Sequence, residues 1–147
     1  MTSDHTTATP IVMRFRFRSA TPEEPALLGL VTRLLPPLVG GSAVVAVASE
    51  SRPLAAIELA EAVATADVPP GVVNLLTGLR GELGPVLASH LDVNALDLAG
   101  ADRETAELER LAAENVKRVV RGRADVQSPW EAASFLELKT VWHPSGR

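Results

Sequence analysis

The chain has 147 residues, 46% of them apolar, which is enough for one domain with a real hydrophobic core. Aromatic residues make up 3% and the net charge is −4, so the stacking material and basic surface that nucleic-acid binding needs are missing. There is no cysteine, which removes disulfides, thiolate nucleophiles and zinc–thiolate sites together and fits a reducing cytoplasm.

Residues 1–10, "MTSDHTTATP", lack the apolar stretch of a secretory signal and read as a flexible tail. In "IVMRFRFR", Met13, Phe15 and Phe17 alternate with Arg14, Arg16 and Arg18, and period two with one cationic face predicts a half-exposed strand. A helix follows in "TPEEPALLGLVTRLLPPLVGG", with Thr21 as N-cap, Pro22 at its first position and Glu23 and Glu24 in its first turn. Leu27, Leu28, Val31, Leu34 and Leu35 make its expected buried stripe, and Pro36, Pro37 and Gly40–Gly41 its expected stop.

An alternation then begins. "SAVVAVAS" is a strand covered on both faces. Ser51 and Pro53 open a helix whose inward stripe is expected to be Leu54, Ile57, Ala60, Val63 and Ala64. Pro69 and Pro70 stop that helix, and Gly71 turns the chain into the strand "GVVNLLTG". "GELGPVLASHL" is a short helix and "VNALDLAG" a strand. "ADRETAELERLAAEN" is a helix with Thr105, Leu108, Leu111 and Ala112 inward, and "VKRVVRG" a last strand.

Strands and helices alternating on short links predict an α/β fold, a Rossmann-like parallel sheet with helices on both faces, over residues 11–123. No apolar run reaches the length of a membrane span. Residues 124–147 form a linker, "ADVQSPWEAA", and a strand with Phe135, Leu136, Leu138, Val141 and Trp142. That strand is expected to pair with the N-terminal one in a small oligomerisation-type sheet, or with another chain.

Isolated constellations give little chemistry. His5, His90 and His143 are scattered without the spacing of metal ligands, and no metal site is assigned. Asp92, Asp97, Asp102, Glu104 and Glu107 sit mostly at helix starts, where carboxylates favour the helix dipole. "VKRVVRGR" reads as a solvated strand edge. Trp130 and Trp142 fold back onto the core or anchor a subunit interface, where tryptophan is enriched.

From Gly41 to Val93 the wording resembles the cofactor-binding segment of the aldehyde dehydrogenase superfamily, above all Pro69-Pro70-Gly71-Val72-Val73-Asn74 followed by Thr77-Gly78. The likeness continues more loosely to Val120, and "FLELKTVW" is similar to the family's C-terminal strand. The resemblance implies NAD as cofactor, Glu50 at the adenosine ribose hydroxyls, and Gly78, Gly84 and Gly100 where backbone approaches the cofactor or turns tightly. Read as residues alone, these are turn glycines and a surface glutamate near a helix start. A glutamate at the ribose favours NAD over NADP.

Several family positions are altered. Pro22, Glu23 and Glu24 stand where the family has Pro-Trp-Asn, whose amide serves the oxyanion. Val47 and Ala48 replace the ribose-binding lysine and a proline, and Leu98-Ala99-Gly100-Ala101 replaces Phe-Thr-Gly-Ser. "RGRADVQ" stands where the general-base glutamate belongs, and no thiol exists. The resemblance therefore implies no catalytic residues. It implies an inactive, truncated dehydrogenase-like protein that assembles with itself or with a full-length dehydrogenase, through the helix at Asp102–Asn115 and the strand at Ser134–Trp142. The alternative it leaves open is a weak NAD-binding module. Neither reading involves nucleic acid, membrane or metal.

Overall fold

The computed structural model describes the backbone of residues 10–14, and residues 26–99, 101, 104–121 and 128–136 with their side chains. Five parallel strands run in the order β3-β2-β1-β4-β5. They are β1 (Pro10–Arg14), β2 (Ala43–Val47), β3 (Val73–Leu76), β4 (Ala95–Asp97) and β5 (Arg118–Val120). Between and after them lie α1 (Ala26–Val39), α2 (Leu54–Thr65), α3 (Arg80–Ser89), α4 (Thr105–Glu114) and the short α5 (Pro129–Ala133). The α/β class and the parallel sheet are as the sequence predicts. The strands step outward one way from β1 to β3 and the other way from β4 to β5. The reversal between β1 and β4 is the topological switch point of a doubly wound sheet.

The place of the N-terminal strand is a correction. β1 does not belong to a separate small sheet; it is the centre of the main one, with Ile11 opposite Val44 on one side and Ala95 on the other. Most of the Arg/Phe alternation behind the half-exposed reading falls at residues 15–18, outside the described residues. What remains, "PIVMR", is largely an apolar run of the kind a doubly covered strand needs. Its expected partner begins differently too: Ser134 and Phe135 lie in the turn after α5, and residues 137–147 are outside the described residues.

Side chains alternate across the sheet and fill two cores. Val44, Ala46, Ala95 and Val120 meet Leu30 and Leu34 of α1, Ala56 of α2 and Phe135 on one face. Leu96, with Val45 and Val119, meets Ala88 of α3 and Leu108 and Ala112 of α4 on the other. Phe135, from the C-terminal segment, is buried in the first of them.

Two helical stripes are rotated from expectation. In α1 the buried positions are Leu30, Arg33, Leu34 and Pro37, while Leu27, Leu28 and Leu35 are exposed. In α2 Ala56 is buried with Leu59 packed on the core, and Leu54 and Ile57 face outward. Both helices are apolar around most of their circumference, so periodicity alone cannot choose the inward face. The prolines do not stop α1 either; they lie in its last turn. Its end is a Schellman motif. Gly41 adopts φ +78°, its N–H donates to the Leu38 carbonyl at 2.9 Å, and the Ser42 N–H donates to Pro37 at 3.0 Å.

The turn into β3 works as predicted. Gly71 has φ +81° and the Val72 N–H closes on the Pro69 carbonyl, with Pro70 and Gly71 in the central positions that proline and glycine favour. Asn74 secures it: its amide nitrogen donates to the Gly71 carbonyl at 2.8 Å and to Val44 of β2 at 3.2 Å.

Candidate functional site

Ligands of doubly wound sheets bind beyond the carboxyl ends of the strands. There the chain leaving β2 carries Glu50, and the chain leaving β3 carries Gly78 into α3. Glu50 Oε1 accepts the Arg80 backbone N–H at 2.6 Å and its Nε at 3.2 Å. Because the α3 N-cap, Leu79, has no side-chain acceptor, Glu50 supplies from across the loop the anion that a helix start favours. Gly84 is buried one turn into α3, and Gly100 lies outside the described residues. Glu50, Gly78 and Gly84 are thus gathered around the start of α3.

Other carboxylates lie near the same helix start. Glu82 lies in the first turn of α3, and Glu104 Oε1 is 4.0 Å from where a Cβ on Gly81 would stand. Among the described residues, Glu50, Glu82 and Glu104 thus bring carboxylates to an end whose dipole otherwise attracts anions. Apolar residues also line the exits of β2 and β4: Val47, Ala48, Leu98 and Ala101 are all buried in the core. At these positions side chains serve packing, and none offers a polar group to a ligand.

The most polar buried feature was not anticipated. Asp97, at the carboxyl end of β4, accepts Arg33 Nε at 2.8 Å and a second guanidinium N–H at 2.5 Å on Oδ2, and the Ala99 N–H at 2.9 Å on Oδ1. Arg33 reaches Glu131 of α5 at 3.2 Å with its remaining fork. Burial pushes the Asp97 carboxyl above the usual carboxylate range, outweighing the pull of Arg33; Glu131 adds to the rise. The sequence held a signal: one cation on the inward face of α1 and one carboxylate inside an apolar strand are each costly alone, so they pair.

The sequence profile of the Aldehyde dehydrogenase family matches residues 23–121, more than half of the chain. The chain belongs to the aldehyde dehydrogenase family. It is 39% identical over 88 residues to NADP/NAD-dependent aldehyde dehydrogenase PuuC of Escherichia coli, covering 59% of this chain and 18% of that one. It is 34% identical over 115 residues to aminoaldehyde dehydrogenase 2, peroxisomal, of Pisum sativum, covering 70% and 23%. Among solved structures, HpcC from Thermus thermophilus superposes with a TM-score of 0.65 at 34% identity, over 75% of this chain and 20% of that one. Betaine aldehyde dehydrogenase from Staphylococcus aureus, in complex with NAD+, gives 0.64 at 27%, over 76% and 22%. The chain spans about a fifth of the length of these relatives.

Within this family fragment the other candidate residues are dispersed. Asp97 is buried on one face, Asp92 is exposed after α3, Glu107 pairs with Arg110 on α4, and Asp102 is outside the described residues. His90 Nδ1 accepts the Asp92 N–H at 3.2 Å; its carbonyl and that of Val93 receive the Lys117 ammonium. Lys117 is thus buried, although its cluster lies on the edge strand β5. Among the described residues no group of histidines and carboxylates could hold a metal ion, and no helix is long and apolar enough to cross a membrane. Trp130 is 81% exposed on α5, so it does not fold onto the core, and Trp142 lies outside the described residues.

Proposed function

We propose that this chain is a catalytically silent member of the aldehyde dehydrogenase family that serves as an assembly or regulatory subunit in the cytoplasm, with itself or with a full-length dehydrogenase. The observation that carries the reading is a well-packed parallel sheet in a chain without cysteine. Thioester chemistry on an aldehyde needs a nucleophile, a base and an oxyanion donor held together. The exposed Trp130 supports an assembly role, since buried tryptophans anchor interfaces. The test combines light scattering with purification from the host. An oligomer or a co-purifying dehydrogenase is expected, without aldehyde-dependent NADH production by the homogeneous protein. A lone monomer, or such production, overturns the reading.

A second reading, a weak nucleotide-binding module, is favoured by Glu50 at the exit of β2 and by relatives described as NADP/NAD-dependent or in complex with NAD+. Losing the lysine and serine positions to Val47 and Ala101 weakens it. Titration calorimetry with NAD decides: no heat at millimolar ligand ends it, and binding unaltered in Glu50→Ala removes Glu50 from the site.

A further inference from the structure

α5 lies beyond residues 23–121 that match the family, yet it packs against α1 and leads into a core residue. Phe135, in the turn that follows, is 3% exposed and packs in the cluster of Leu30, Leu34, Val44, Ala95 and Val120. A five-residue helix has almost no stability of its own, so what holds it must come from tertiary contacts; among the described residues three are present beside a local cap. Glu131 joins the buried Arg33–Asp97 pair. The Arg118 guanidinium of β5 donates to the Leu136 carbonyl. Leu136 Cδ2 occupies the space beside Gly40, 2.6 Å from where a Cβ would stand. Ser128 caps the helix, accepting the Trp130 N–H.

We propose that α5 and its following turn are an intramolecular cap that closes the β4–β5 side of the sheet and makes it one cooperative unit with α1. Arg33 is the positioning residue of this cap, because a single guanidinium is bonded at once to the end of β4 and to α5. The covered side is therefore unavailable to a partner. β4 and β5 have three residues each, so few ladder hydrogen bonds hold them, and burial by the cap supplies what pairing does not.

Amide hydrogen exchange on the full chain tests this, using Glu131→Gln, Gly40→Val and Phe135→Ala. The diagnostic amides are Leu98 and Arg118, which donate across β4–β5 to Val120 and Asn94, and Val44 and Ala48, which donate across β2–β3 to Val72 and Leu76. Loosening the cap is expected to speed exchange at Leu98 and Arg118 on the order of tenfold, together with Ser134 and Phe135, while Val44 and Ala48 change less than about threefold. Acceleration confined to α5 overturns the proposal, since the helix would then be decoration. Equal acceleration in all strands overturns it too, since the effect would be global. Should Phe135→Ala unfold the protein, Glu131→Gln and Gly40→Val, which keep every buried apolar side chain, give the same comparison.

Discussion

Val116 adopts φ +53° and is 92% exposed. It occupies the left-handed position of a second Schellman motif, in which the Lys117 N–H donates to Ala112 at 3.0 Å and the Val116 N–H to Ala113 at 3.1 Å. A β-branched residue is strained there by roughly 1–2 kcal/mol, and with its side chain in water nothing local offsets the strain. Val116→Gly is expected to stabilise the fold by about 0.5–1 kcal/mol, part of the relief being lost to the greater freedom of glycine in the unfolded chain. A thermal melt should show Tm rising by roughly 2–4 °C, with Val116→Ala giving little gain because its Cβ keeps the clash. Asp97 supplies a second prediction. Its carboxyl is raised in the folded state by burial, against Arg33 and beside Glu131. The folded state thus binds the proton more tightly than the unfolded one. Stability tied to this group is complete below the unfolded value of about 3.9 and is lost as pH rises through the raised one. The Tm of the unmodified chain should accordingly fall relative to that of Asp97→Asn as pH is raised from about 4 toward neutrality; a relative rise instead would mean that Arg33 outweighs burial.

At the scale of elements, α3 depends on a residue thirty positions away. Glu50 gives its N-terminus the acceptor that Leu79 lacks, so Glu50→Gln should cost about 0.5–1 kcal/mol by weakening the interaction with the helix start. Its pairing with Arg80 also bears on nucleotide preference. The guanidinium offsets the charge that would repel a 2′-phosphate, so if nucleotides bind, Arg80→Ala should raise the ratio of NAD to NADP affinity several-fold in calorimetry. What the sequence made legible follows the same division between local and distant causes. The turn at Pro69–Gly71, the Gly41 stop and the inward face of α4 rest on local conformational rules and came out as read. The inward faces of α1 and α2 did not, because apolar residues nearly encircle them and only the sheet decides which side is buried. The central place of β1 escaped because two neighbours far away in sequence create it. Of the site, Glu50 was visible as a residue, whereas its engagement with Arg80 and the Arg33–Asp97–Glu131 cluster needed the fold.

For the whole molecule, the decisive feature is that two cores share one thin sheet. Leu96 faces α3 and α4, whereas its neighbours Ala95 and Asp97 face α1 and α5, and β4 is only three residues long. Neither helical layer can persist once the strands lose the other, since a strand of that length has too few hydrogen bonds to survive with one face in water. In the relatives the matching segment is about a fifth of the length, and here both layers come from the chain itself. Unfolding should therefore be a single transition in denaturant, coincident by far-ultraviolet circular dichroism and by tertiary-structure probes, with the calorimetric and van't Hoff enthalpies equal on heating. Leu34→Ala on one face and Leu108→Ala on the other are both deletions of buried side chains, each expected to cost about 2–5 kcal/mol. Each should move the whole transition and not one half of it. If Leu108→Ala split the curve, leaving the α1–β2 amides protected while α3 and α4 melted, the two layers would be independent and the sheet would not be the shared element that makes this fragment fold.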